Sequence, residues 1–442
     1  MTASTDPDPN SVSQAATSEA PSSASSRSSA SDQNDDESFQ SRWDNQPPTN
    51  TDESAVEPYE LPPLMQTSQG ISVESTEGWE RLRRPEIMER LTQFQFGRTP
   101  TAPIVVNYNV LERGVESLGG KARRTQARIE FPAEDDLRIR VLVLTPADAD
   151  GPVPAMLHLS FMPAIMNLDE PGIDEDLAWS GELEAQVPDR EAFKLSPFEI
   201  ERFIDRGYGV VLVYYGDIYP DFDHGNAEGV TRLFGGDGNP RMREEWGGIG
   251  AWAWGLSRVM DYLENDPDID AERVALSGIS RLGKSVLWAS AQDKRFALTV
   301  PWLSGEGGAA LSRRNYGETI ADLTNPERYH YWFAPRYQEF AFNVDALPVD
   351  AHMLLAMLAP RPTLLITGSE DTWSDPMGEW LALKAAQPAW ELYGRSVPEE
   401  TELPAPDQPI ISDLAYVMHD GGHTTKPIDY EVILDFMDTH LK

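Results

Sequence analysis

The sequence predicts an α/β domain: three layers, with a mostly parallel central sheet and helices on both faces. Three observations predict it. Short apolar segments alternate with amphipathic ones from Ala127 to the C-terminus. The later apolar segments are β-branched and hydrophobic on both faces, as buried parallel strands are. One of them also runs straight into a glycine-flanked serine and then a helix. The βαβα order calls for crossover connections, which place helices on both sides of a parallel sheet.

In chain order, the first 40 residues hold 12 Ser, and their only large apolar residues are Met1, Val12 and Phe39. Such a segment buries too little surface to offset its ordering entropy, so residues 1–65 are expected to be a disordered, acidic, Ser-rich tail and residues 66–442 the folded domain. The leader lacks the basic and apolar regions of a secretory signal. Order is expected near Gly78, with a helical stretch over 79–95. Strands are expected at 127–131, 138–144, 155–161, 209–215, 273–277, 297–303, 363–367 and 412–418. Helices are expected at about 197–205, 247–264, 282–291, 350–358, 377–387 and 428–441. The stretches 162–195 and 304–345 show no strand pattern, and insertions of that length are usually functional loops or lids.

The sharpest local feature is Arg273 to Lys284. A short apolar strand enters Gly278-Ile279-Ser280, and a helix follows at once. A tight strand–turn–helix junction exposes the serine hydroxyl at the sheet edge and aims backbone N–H groups at a substrate oxygen. The second glycine of the usual G-x-S-x-G pattern falls one position late, at Gly283. Ser280 read alone is a helix N-cap, and Gly255-Leu256-Ser257, inside a helical stretch, is read as such a decoy. A nucleophilic serine needs a base, and the base an orienting carboxylate. In α/β-hydrolases these follow in the order Ser, acid, His. Segment 363–367 runs into a carboxylate-rich turn, Thr367 to Pro376. Segment 412–418 runs into His419-Asp420-Gly421-Gly422-His423. The two glycines let His423 fold back toward Ser280, whereas His419 is read as the strand end.

The run from Trp246 to Asp266, with Gly278-Ile-Ser-Arg-Leu-Gly-Lys284, resembles the glucuronoyl esterases of carbohydrate esterase family 15, above all their bacterial branch. The resemblance continues through Ser304–Gly308, Arg313–Glu318, Trp332-Phe333, Asp371–Pro376 and Gly422-His423, and so spans about residues 76–442. It implies an α/β-hydrolase that cleaves esters of (4-O-methyl)glucuronic acid, the linkage joining glucuronoxylan to lignin, with no metal or organic cofactor. By position, Ser280 would be the nucleophile, His423 the base and Arg281 the oxyanion donor. Lys284 and Glu318 would meet sugar hydroxyls, and Trp373 would close over the sugar face. Fungal members carry a catalytic Glu where Leu303 stands here; the family's other acid position falls on Asp371, with Glu370 and Glu306 as alternatives. Ile279 replaces the fungal Cys, and Phe161-Met-Pro163 lacks the family's usual Gly-Asn after Phe. The resemblance leaves open a carboxylesterase or acetyl esterase acting on another sugar or acyl ester, and a catalytically weak carbohydrate-binding relative.

Composition adds exclusions. The chain of 442 residues carries 73 Asp and Glu against 36 Lys and Arg, a net charge of −37, so nucleic acid and anionic membrane surfaces are not expected partners. No stretch is apolar enough to span a bilayer, and a carbohydrate ester taken up by a monomer is the expected partner. The absence of Cys excludes disulfides and thiolate chemistry. The acidic run Asp217 to His224 lacks regular cation-ligand spacing and is read as a loop near the site rim. The substrate class suggests a secreted or periplasmic protein, although no export signal is visible. Acid-rich, lysine-poor surfaces suit high salt, where screening acts within about 3 Å; an ordinary acidic protein is the other reading. Salt adaptation predicts that the melting temperature rises in molar NaCl, and a thermal melt showing no gain rejects it.

Overall fold

A computed structural model describes residues 43–442 other than Asn45 and Pro240. Contacts divide the chain into residues 1–46 and residues 47–442. In the first unit, the described part is a single turn in which Gln46 N–H donates to the Trp43 carbonyl at 3.0 Å. All further description concerns the second unit.

A nine-stranded sheet organises it. Along the chain the strands are β1 Asn107–Ser117, β2 Ala122–Phe131, β3 Glu134–Pro146, β4 Val153–Ser160, β7 Gly209–Tyr214, β8 Ile269–Ile279, β9 Leu298–Trp302, β10 Thr363–Gly368 and β11 Leu414–His419, in spatial order β1-β2-β3-β7-β4-β8-β9-β10-β11. The hairpin β5 Leu177–Ser180 and β6 Ala185–Pro188 forms a separate two-stranded sheet. From β7 to β11 every pairing is parallel, and β1 to β3 add an antiparallel flank that joins at β7. The registers Ile279↔Trp302, Ile366↔Trp302 and Gly368↔His419 bring the C-terminal ends of β8 to β11 to one rim.

The major helices are α1 Arg84–Leu91, α2 Ile200–Asp205, α3 Gly248–Leu263, α4 Arg281–Gln292, α5 Ala351–Ala356, α6 Pro376–Glu391 and α7 Pro427–Leu441. Side-chain alternation along the strands splits the core in two. Val141, Val143, Leu276 and Leu365 pack with Ile87 of α1, Trp252 of α3, Trp288 of α4, Leu354 of α5 and Trp380 of α6. Leu142, Leu144, Ala275 and Ile366 pack with Phe203 of α2 and Phe436 of α7 on the opposite face. The fold is therefore the expected three-layer sandwich.

Two elements were not legible beforehand. Strand β1 is an edge with polar residues on both faces, and most of its residues are exposed. The β5–β6 hairpin lies in the stretch read as lacking strand pattern. An arginine ladder ties this acidic insertion to the sheet. Arg128 and Arg140 stand opposite one another on β2 and β3. Asp174 (2.5 Å) neutralises the first, and Asp189 (2.5 Å) with Asp217 (2.8 Å) the second.

The expected tail boundary at residue 65 moves toward the N-terminus. Residues 1–42 of that tail lie outside the described residues, but 47–65 pack on the rest of the second unit. Gly317 N–H donates to the Asn50 carbonyl at 2.8 Å, and Arg314 donates to both Glu53 carboxylate oxygens, at 2.9 and 2.7 Å. Arg83 donates to the carbonyls of Leu64 (2.8 Å) and Pro63 (2.6 Å). Leu64 is buried in the core and Tyr59, Leu61 and Met65 pack against it, while the residues before them are held by satisfying a buried guanidinium group, a signal that hydropathy does not carry. Arg83→Ala strands these carbonyls together with Glu86 and is expected to lower stability by about 3 kcal/mol in urea denaturation.

Candidate active site

At the end of β8 the chain turns through Ser280 with φ 57° and ψ −125°, a region that L residues adopt only where surroundings impose it. Here they do. Ser280 N–H donates to the Trp302 carbonyl at 2.8 Å, and its own carbonyl accepts from Lys284 N–H at 3.1 Å, opening α4. A Cβ at Gly278 would lie 2.6 Å from the Leu282 carbonyl oxygen, and one at Gly283 would lie 3.0 Å from that of Trp302. The late second glycine is explained by that approach of α4 to β9. Ser280 is half-buried at the rim.

Beyond β11 the chain reverses through Gly421, φ 140°, and delivers His423. Its Nδ1 lies 2.7 Å from Asp371 Oδ2 and 3.2 Å from Ser374 Oγ, and Ser374 N–H donates to Asp371 Oδ1 at 3.3 Å. Burial would raise the Asp371 pKa, but the hydrogen bonds and charge of His423, helped by Ser374, hold it below the ordinary carboxylate range. Among the described residues, no hydrogen bond joins Ser280 Oγ to His423. Such contacts are often open before substrate binds. Glu370 is exposed, and Glu306 is engaged by Ser312 Oγ (2.6 Å) and Tyr337 OH (2.9 Å), so the carboxylate that meets His423 is Asp371. Leu303, at the fungal Glu position, is buried with φ 51° and donates its N–H to the Ile366 carbonyl at 2.7 Å.

Arg281 follows Ser280 and sits among aromatic rings, its Cζ 4.6 Å from the Trp332 ring centre and 5.5 Å from those of Phe161 and Tyr329. Nη1 donates to Asp221 Oδ2 at 2.6 Å. Asp221 Oδ1 accepts in turn from Trp332 Nε1 (2.7 Å) and Tyr331 OH (3.1 Å). Burial opposes the charge on Arg281, but the Asp221 carboxylate holds its pKa above the ordinary range. Asp221 is the residue that sequence reasoning missed: it belongs to the run read as a rim loop, and nothing local marks it as the partner of a residue 60 positions away.

One turn into α4, Lys284 Nζ donates to Glu318 Oε2 at 3.0 Å and to the Ser304 carbonyl at 2.9 Å, both side chains being almost fully buried. Glu318 N–H donates to the Trp373 carbonyl at 2.8 Å, which ties the loop bearing Glu318 to the turn after β10. Trp373 itself is half-exposed at that turn, with Arg328 Cζ 5.9 Å from its ring centre. The expected residues are thus drawn to one rim: Ser280, Arg281 and Lys284 from the elbow, Asp371 and Trp373 from the turn after β10, His423 from the turn after β11, and Glu318 from the long connection between β9 and β10. No group of three or more His, Asp or Glu suited to a metal ion occurs among the described residues.

A parallel sheet with such an elbow, and an Asp–His pair on the same rim, define an α/β-hydrolase. Comparison with known proteins narrows this. A family model described as "Glucuronyl esterase, fungi" matches residues 241–394. A carbohydrate esterase from an unknown prokaryotic organism is 36% identical over 401 residues, covering 89% of this chain and 92% of that protein. The solved glucuronoyl esterase of Solibacter usitatus is 36% identical with a TM-score of 0.82, covering 88% of this chain and 100% of that one. A promiscuous CE15 esterase from a marine bacterial metagenome is 35% identical with a TM-score of 0.80, covering 89% and 100%. The chain belongs to carbohydrate esterase family 15, the glucuronoyl esterases, and is a carboxylic-ester hydrolase.

Two buried carboxyls near the site do not contact His423. Glu379, on α6, accepts from Gly305 N–H (2.6 Å) and Ser304 Oγ (3.1 Å), and burial pushes its pKa up to about 8. Burial likewise raises Glu306 from 4.5 to about 8. The folded protein therefore holds this proton more tightly than the unfolded chain, and stability falls as pH rises between those values. Glu306→Gln removes that term while keeping an acceptor for Ser312 and Tyr337. Its melting temperature is expected to match wild type near pH 4 and exceed it increasingly toward pH 8, as followed by thermal denaturation.

Proposed function

We propose that this esterase cleaves esters of (4-O-methyl)glucuronic acid, of the kind that join glucuronoxylan to lignin, by a Ser-His-Asp mechanism with an arginine-assisted oxyanion site. Ser280 Oγ attacks the ester carbonyl while His423 Nε2 takes its proton. Asp371 accepts from Nδ1–H, which sets the tautomer and stabilises the imidazolium. Charge developing on the carbonyl oxygen is met by the Arg281 guanidinium and by backbone N–H groups at the start of α4. His423 then returns the proton to the departing alcohol, and water, deprotonated by the same histidine, releases the uronic acid and frees Ser280. Lys284 and Glu318 offer a donor and an acceptor to the ring hydroxyls, and Trp373 an apolar face for the sugar. The observation that carries the reading is the 2.7 Å contact between His423 Nδ1 and Asp371, on the rim that bears Ser280.

A broader ester range is the second reading, favoured by the promiscuity named for the marine metagenome relative. Hydrolysis of benzyl glucuronate against p-nitrophenyl acetate separates the two, with preference for the glucuronate expected. Ser280→Ala should abolish turnover with the fold retained, and Asp371→Asn should lower kcat by about 10⁴-fold, as a wrong tautomer does. Unchanged activity in Ser280→Ala refutes the site.

A further inference from the structure

His419 ends β11 with its side chain fully buried, as is that of Asp429 in the first turn of α7. Its two ring nitrogens each face an oxygen at 3.0 Å: Nδ1 faces Asp429 Oδ1, and Nε2 faces the Gly422 carbonyl. A carboxylate and a carbonyl both accept, whereas a neutral imidazole has one N–H. With one proton, one of these contacts would set lone pair against lone pair; with two, both are made. Asp429 spends its other oxygen on Lys426 N–H at 2.8 Å. Burial works against a charged ring, but Asp429 and the Gly422 carbonyl outweigh it and raise the His419 pKa above its ordinary value. Lys426, in the loop before α7, is the cation that pulls the other way. From the β10 side the loop is met by Ser369, whose Oγ engages the exposed Asp420 at 3.3 Å.

Gly422 immediately precedes His423. Its carbonyl occupies the space that a side chain on Gly368 would need, 2.6 Å from where a Cβ would stand. Gly421 is fixed as well, its N–H donating to Ser369 Oγ at 3.1 Å and its carbonyl accepting from Glu370 N–H at 2.8 Å. The turn that delivers His423 is therefore pinned between the end of β10 and the His419 ring.

We propose that His419 is a doubly protonated positioning residue: an imidazolium bridging Asp429 and the Gly422 carbonyl, which fixes the turn that carries His423. The proposal rests on the reading of His423 as the base. Raising the pH until His419 loses its second proton leaves the Gly422 carbonyl only the local Thr424 N–H, at 2.8 Å, and no tie to the sheet, so His423 drifts and kcat falls while sugar binding, made by other residues, is kept.

The test combines two measurements on the full chain labelled with ¹⁵N-histidine: nitrogen chemical shifts from pH 6 to 10, and kinetics on benzyl glucuronate. The expected spectrum has the His419 ring, assigned by its loss in His419→Gln, in the imidazolium form at pH 7.5. His419→Gln should lower kcat roughly 10- to 100-fold, as a misplaced catalytic group does, with KM within about twofold. Asp429→Asn, which withdraws the carboxylate, should move the basic limb of the wild-type kcat profile to lower pH. A neutral His419 ring at pH 7.5 overturns the proposal, as does a His419→Gln enzyme with wild-type kcat. Should that variant fail to fold, the Asp429→Asn profile decides, an unmoved basic limb counting against. Failure of the catalytic reading would appear separately, as activity surviving in Ser280→Ala, while the nitrogen shifts still score the ring.

Discussion

The rest of the molecule turns on a steric constraint at a single residue. Ser280 holds a backbone conformation with φ 57° that an isolated chain would abandon, and it persists because β8, β9 and α4 crowd it from three sides. That crowding leaves no room for a Cβ at Gly278 and little at Gly283. The gain is positional: the serine stands half-buried at the head of α4, on the rim where β10 and β11 also end. Parallel pairing then matters for function, because only parallel strands bring the chain segments after each of them to the same edge.

Around that point the molecule withdraws two cations from water and balances each with a carboxylate. Arg281 and Lys284 lie on consecutive turns of one helix and are both largely withdrawn from water, a costly arrangement unless each has a carboxylate. Asp221 and Glu318 supply them. The two pairs differ in what they leave free. Arg281 retains donors beyond the one committed to Asp221, and its flat face is packed among aromatic rings, which suits a guanidinium better than an ammonium.

Much of this was legible from residue pattern. β8, β10 and β11 announce themselves as short apolar runs bounded by turn residues, and the order serine, carboxylate, histidine follows from reading along them. Likeness to relatives put Asp371 ahead of Glu370 and Glu306, and the folded turn is what brings Asp371 to His423, since the three differ in direction rather than in type. β1 escaped because an exposed edge strand lacks the alternation that burial imposes. Asp221 escaped because its partner is distant in sequence and its neighbours are acidic decoys. Glu318 and Trp373 carry no local pattern at all, and only likeness to relatives marks them. His419 was read as a strand end, which it also is; that both its nitrogens meet acceptors is a fact of the folded turn.

The strap formed by residues 47–65 has a practical corollary. A product trimmed for expression at residue 65, where hydropathy places the edge of the domain, would keep every strand and every helix labelled above. It would nevertheless strip Arg314 of Glu53 and uncap Gly317, the residue beside Glu318. Truncation points in such proteins are better chosen by asking which interior cations the leading segment neutralises than by where apolar residues begin.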